Sequence, residues 1–158
     1  CTPMLQKSLP DHFSTFNYNQ MPSTLNPYLI FNGNCREAMN FYTDCFGGDL
    51  YLQTVSEAPI AAQMPATLQN SIMHSQLTRG ALVMMASDMN REKLNDGNGT
   101  QLCVVCSSEV EINRFFNKLK EGGTIIEPLA KMFWGGYYGS LIDQYGKYWS
   151  FNYEKAKP

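Results

Sequence analysis

The stretch Tyr28–Gly48, YLIFNGNCREAMNFYTDCFGG, and a second one, Leu102–Gly123, LCVVCSSEVEINRFFNKLKEGG, decide the fold of this chain. Each begins with a short apolar run of strand character, Tyr28 to Phe31 in one and Leu102 to Val105 in the other. A polar turn follows: Gly33 and Asn34 in the first, Ser107 and Ser108 in the second, where either serine can satisfy free N–H groups at a helix start. Then Ala38, Met39, Phe41, Tyr42 and Phe46 recur at helical spacing, as do Val110, Ile112, Phe115, Phe116 and Leu119. A pair of glycines closes each helix, Gly47-Gly48 and Gly122-Gly123, as expected where a helix ends. The glycine pairs lie 75 residues apart, and the aromatic pairs Phe41-Tyr42 and Phe115-Phe116 lie 74 apart.

Outward from these stretches, the same punctuation continues in both halves. Extended runs are predicted over Asp49–Val55 and Thr124–Leu129. Two further strands follow in each half: Ser71–Leu77 and Ala81–Ala86 around Arg79-Gly80, then Gly139–Ile142 and Lys147–Tyr153 around Tyr145-Gly146. The chain is therefore read as β-α-β-β-β twice, an α+β fold of two paired modules with curved mixed sheets around a cleft. The expected division is residues 1–25 outside the fold, 26–99 as the first module and 100–158 as the second, one domain in all. One helix covers one side of each sheet, so the inner face of each module needs a partner. The second copy of the module is expected to supply it, enclosing a cleft between the two.

Composition bounds the function. Hydrophobic residues make up 44% and charged residues 16%, the balance of a folded domain, and a formal charge of −2 gives no global field for nucleic acid or an anionic membrane. No apolar run reaches the length of a spanning helix. The five cysteines, Cys1, Cys35, Cys45, Cys103 and Cys106, match no disulfide framework, which implies reduced thiols and a cytoplasmic protein. Cys103 and Cys106 sit three apart on an expected strand, so their side chains point to opposite faces and cannot clamp one metal. The first twenty residues lack apolar periodicity and carry no signal-peptide pattern, so Met21 reads as a natural start after a leader.

The segments Tyr28–Asp49, Ile72–Asp88 and Gly122–Asn152 resemble the PhnB-like branch of the glyoxalase/bleomycin-resistance/dioxygenase (vicinal oxygen chelate) superfamily. The most specific part of the resemblance is the FWG…G…D…YG…W pattern from Phe133 to Trp149. It covers about Asn26 to Tyr153. The superfamily's metalloenzymes hold a divalent ion with His, Glu or Gln donors on inward-facing strands. The resemblance maps those positions near Pro27, His74, Gln101 (or Cys103, two residues on) and Ser150. Proline has no donor and serine is a poor one, so no metal and no other cofactor is expected. The branch's methyltransferase label also finds no support, because the paired glycines follow the helices instead of leading into them.

His74 is the most informative residue, since the only other histidine, His12, lies in the leader. It reads as a core histidine, as an acid-base or ligand-contacting group in the cleft, or as a metal ligand. Phe133 to Gly139 reads as ring closure of the core or as a stacking wall for a planar ligand; Tyr137 and Tyr138 alternate faces, so at most one enters the cleft. Met84 and Met85 likewise divide between helix side and cleft. Asp143 reads as a turn residue with a side-chain-to-backbone bond. The expected ligand-binding set is His74, Gln76, Gln101, Cys103, Trp134, Tyr137 and Ser150, with His74 the one catalytic candidate. The resulting expectation is a protein that binds a small organic molecule without a full metal site, alternatively a metal-dependent lyase or dioxygenase-type enzyme using His74. A homodimer is expected, with no nucleic acid or membrane partner.

Overall fold

A computed structural model describes residues 22–90 and 92–156. The leader and the proposed start at Met21 lie outside the described residues. The first module runs β1 (Tyr28–Ile30), α1 (Cys35–Phe46), β2 (Asp49–Thr54), β3 (Ile72–Arg79) and β4 (Leu82–Ser87). The second runs β5 (Leu102–Val105), α2 (Glu109–Leu119), β6 (Thr124–Lys131), β7 (Tyr137–Ile142) and β8 (Tyr148–Tyr153). Three short 3-10 turns lie between β2 and β3. Each module forms one four-stranded sheet of the same order, β1-β4-β3-β2 and β5-β8-β7-β6. The first strand of each pairs parallel to the last and the others run antiparallel, so the internal repeat read from the sequence is a repeat of topology.

The glycine pairs have a spatial reason. A Cβ on Gly48, whose φ is +99°, would collide with the Thr78 carbonyl oxygen, and one on Gly123 would collide with that of Ile142. In both modules the chain leaving the helix passes against the backbone at the end of the third strand, and only glycine fits there.

The helix starts are built differently. Ser108 caps α2 by accepting the Glu111 N–H at 3.0 Å, while Glu111 accepts the Ser107 N–H. Asn34 makes no side-chain cap for α1. Its role is taken by Asp88, just past β4, which accepts the N–H groups of Gly33 and Cys35 at 2.9 and 3.0 Å and that of Ile72 at 2.9 Å. Thus one buried carboxylate holds the first helix against the start of β3. The sequence presents Asp88 only as an isolated acid.

One continuous core joins the modules. It contains Ala38, Met39, Tyr42 and Phe46 from α1, and Ile112, Phe115, Phe116 and Leu119 from α2. The sheets add Ile72, Leu77, Met84, Leu141, Trp149 and Phe151. The helices meet where the Phe46 and Phe115 rings cross edge to face, 5.0 Å between centroids. At the centre Asp143 binds both modules. Its Oδ2 accepts the Tyr42 hydroxyl at 2.6 Å and the Trp149 indole N–H at 2.8 Å. Its Oδ1 accepts the N–H groups of Tyr145 and Lys147, the turn bond expected from the sequence. Burial, then the neighbouring Asp143 charge, drives the Tyr42 hydroxyl far above its ordinary pKa, so it stays a donor.

This core corrects one expectation. Within the chain the modules join through their helix-covered sides, and the opposite faces of the two sheets do not close over one another. Tyr51 on one such face is 57% exposed and Val105 on the other is 73% exposed.

Asp143→Ala leaves the Tyr42 hydroxyl and the Trp149 N–H buried without partners and unties the β7–β8 turn. It is expected to lower stability by about 3 kcal/mol, against about 1 kcal/mol for Tyr42→Phe, which leaves the other bonds in place. Urea denaturation of both variants measures the difference.

Candidate functional site

Strand register places the side chains of each sheet on one face or the other. On the first sheet Ser75, Leu77, Met84 and Ala86 lie under α1 and are buried. Their alternates, Tyr28, Tyr51, Gln53, His74, Gln76 and Met85, share the uncovered face. The two methionines divide as the sequence suggested. His74 stacks on Tyr28 with ring centroids 6.0 Å apart and planes inclined by 26°, and the Tyr28 hydroxyl lies 3.5 Å from His74 Nδ1. Asp49, Tyr51, His74, Gln76 and Thr78 wall a shallow cavity of about 390 Å³ on this face. Among the readings open for His74, a place in the buried core is not the observed one: it is half-buried on the uncovered side.

The second sheet repeats the pattern. Leu141, Trp149 and Phe151 face the core. Cys103, Glu127, Ser140 and Ser150 line up in register on the side of the second sheet away from α2, Cys103 and Glu127 exposed and the small Ser140 and Ser150 side chains buried between their neighbours, with Tyr138, Tyr148 and Asn152 beside them. A groove of about 670 Å³ runs where the sheets come nearest, between the edge strand β5 and the β3–β4 turn. Pro27, Leu82, Gln101, Leu102, Val104 and Trp149 contribute to its largely apolar wall.

The sequence-derived site residues therefore fall in separate places. His74 and Gln76 sit together on the first uncovered face, and Ser150 is on the second. Gln101 and Cys103 border the groove between the sheets, where Pro27 also lies. Trp134 stands at the tip of the β6–β7 hairpin, edge to face with Phe133 at 4.8 Å. Tyr137 departs from expectation. It pairs with Tyr153 in register and packs toward the helix side, where the Glu109 carboxylate accepts its hydroxyl and raises its pKa. It is Tyr138 that points to the uncovered face, on the same side of β7 as Ser140 and in register with Asn152. Tyr28 and Tyr51 were not among the site residues expected from the sequence, and Glu127 read there only as an isolated carboxylate. Seventeen residues with three 3-10 turns separate β2 from β3, so no local signal sets Tyr51 beside His74, and none marks Tyr28, which arrives through the parallel pairing of β1 with β4.

The four positions that the superfamily would use for a metal are equally dispersed. Among the described residues no group of three or more His, Cys, Asp or Glu side chains is placed to hold a metal ion. The strand-to-helix turn of the first module also has its N–H groups occupied, by Asp88. No helix among the described residues is long and apolar enough to cross a membrane.

Two helix-backed four-stranded sheets of this order define a glyoxalase-like protein. The fold is shared, at 11% identity and a TM-score of 0.53, with a glyoxalase/bleomycin resistance protein/dioxygenase family enzyme from Burkholderia phytofirmans, over 80% of this chain and 94% of that one. Residues 23–151 match the 3-demethylubiquinone-9 3-methyltransferase family model, and the chain belongs to that PhnB-like family. It is similar to protein YjdN of Escherichia coli, 31% identical over 85% of this chain and 97% of that protein. Protein PA1353 from Pseudomonas aeruginosa is 36% identical with a TM-score of 0.72, over 84% of this chain and 100% of that one. A putative 3-demethylubiquinone-9 3-methyltransferase, PhnB protein, from Bacillus cereus is 26% identical with a TM-score of 0.65, again over 84% and 100%.

Burial divides the thiols. It pushes Cys35 up to about 11 and Cys45 and Cys106 up to about 12, whereas Cys103 is exposed. Among the described cysteines, Cys103 is expected to react with iodoacetamide first at mildly alkaline pH, and Cys35, Cys45 and Cys106 only after unfolding. Peptide mass spectrometry reads the order of labelling.

Proposed function

We propose that this protein binds a small organic molecule between the uncovered sheet faces of two copies of the chain. The observation that carries the reading is the pair of uncovered faces, one bearing the Tyr28–His74 stack and the other the Cys103–Glu127–Ser140–Ser150 row. Surfaces that mix aromatic rings with hydroxyl, amide and imidazole groups suit ligand recognition.

Symmetry supports the second copy. A two-fold axis that lays the first face of one chain on the second face of the other closes both pairs at once. Pairing like faces would leave one face of each chain open to further association. Four strands about 4.8 Å apart and about 20 Å long cover roughly 380 Å². Two such faces approach the ~800 Å² per partner of a standard stable interface.

The reading is one of binding, supported by the dispersal of the donors: among the described residues of one chain no group of three His, Cys, Asp or Glu is placed to hold a metal ion.

Light scattering behind size exclusion is expected to give twice the chain mass at micromolar concentration. Val105→Arg, on the second uncovered face, should shift it toward the monomer. Native mass spectrometry should show a retained organic molecule, lost in His74→Ala. A monomer with no ligand, or stoichiometric metal lost with His74→Ala, would overturn the reading.

A further inference from the structure

The charges on the two uncovered faces restrict what they can receive. Of the lysines and arginines on the strands, Arg79 turns to the helix side, donating to the Phe46 carbonyl at 2.6 Å and lying 5.2 Å from the Phe115 ring centroid. Lys131 pairs in register with Tyr137 and shares its side of the sheet. Lys147, in the β7–β8 turn, is held by Asp96, by the Ile30 carbonyl and over the Phe31 ring. The face positions of the described strands thus carry no lysine or arginine. They do carry two exposed carboxylates, Asp49 on the first face and Glu127 on the second.

Around these carboxylates the faces offer rings. Tyr28 and His74 present one stacked pair and Tyr51 stands beside them; Tyr138 and Tyr148 lie on the other face. A negative charge next to the π-face of a tyrosine favours an aromatic cation, which gains ring contact and charge attraction together. A phosphonate, sulfonate or carboxylate ligand would meet no lysine or arginine at the face positions of the described strands and would face two like charges. The argument holds in any register of the two copies, because the walls are drawn from the same two faces.

We infer that the ligand class is an aromatic cation, such as an arylmethylammonium or an aryl amidinium, and that organic anions are disfavoured. This rests on the small-molecule reading above and sharpens it.

The test uses the full chain and two probes with the same ring and opposite charge, 1-naphthylmethylammonium and 1-naphthalenesulfonate, titrated by calorimetry at low salt. The ammonium is expected to bind at least about tenfold more tightly, with a preference that shrinks as salt rises. The double variant Asp49→Lys/Glu127→Lys changes only exposed strand positions, and its fold is checked by circular dichroism. It should reverse the order of the two probes, while Tyr51→Ala weakens the ammonium without reversing it. Equal or tighter binding of the sulfonate, still weakened by Tyr51→Ala, would overturn the charge class and leave small-molecule binding standing. If neither probe binds, the small-molecule reading fails, and the inference with it.

Discussion

A four-stranded sheet has two faces, and each module of this chain brings one helix. That constraint organises the rest of the molecule. The helix buries one face of its sheet, and the two helix-covered sides then merge into a single core around the Phe46–Phe115 contact and Trp149. Merging them is favourable because it removes apolar area from water on both modules at once. Its consequence is that the other two faces point away from the shared core. Everything proposed about ligand and partner follows from those two remaining surfaces.

The polar groups that lock this arrangement are two aspartates with different tasks. Asp88 acts inside the first module, tying the start of α1 to the start of β3 in place of a local helix cap. Asp143 acts between modules, taking the hydroxyl of Tyr42 from one and the indole of Trp149 from the other. A buried carboxylate is costly unless its oxygens are fully engaged, and here each is engaged by more than one donor or by buried backbone. The aspartate in the FWG…G…D…YG…W pattern is therefore a pin between modules. Its neighbour Lys147 reaches across to the Ile30 carbonyl and to Asp96 in the linker, reinforcing the same junction.

The superfamily's metal chemistry depends on donors from several strands converging inside one cleft. Here His74, Ser150, Gln101 and Pro27 lie on two faces and along a groove, so within one chain these four positions do not come together. The proposed ligand preference rests on the stacked Tyr28–His74 pair and on the lack of lysine and arginine at the face positions of the described strands.

The sequence by itself determined the modules: their elements, their repeat, the glycines after each helix and the alternation that separates Met84 from Met85. These are local matters, set by hydrophobic period and by backbone positions where a side chain cannot fit. It also indicated that Asp143 bonds its own turn, because such a bond spans only a few residues. Only the tertiary structure decided which sides of the modules meet. Hydrophobic period marks a face as apolar or polar but does not say which other face will cover it. For that reason the expected cleft inside the chain gave way to two uncovered faces, and Tyr137 exchanged places with Tyr138. Tyr28 emerged beside His74, 46 residues away in sequence, through a parallel strand pairing that no local signal announces.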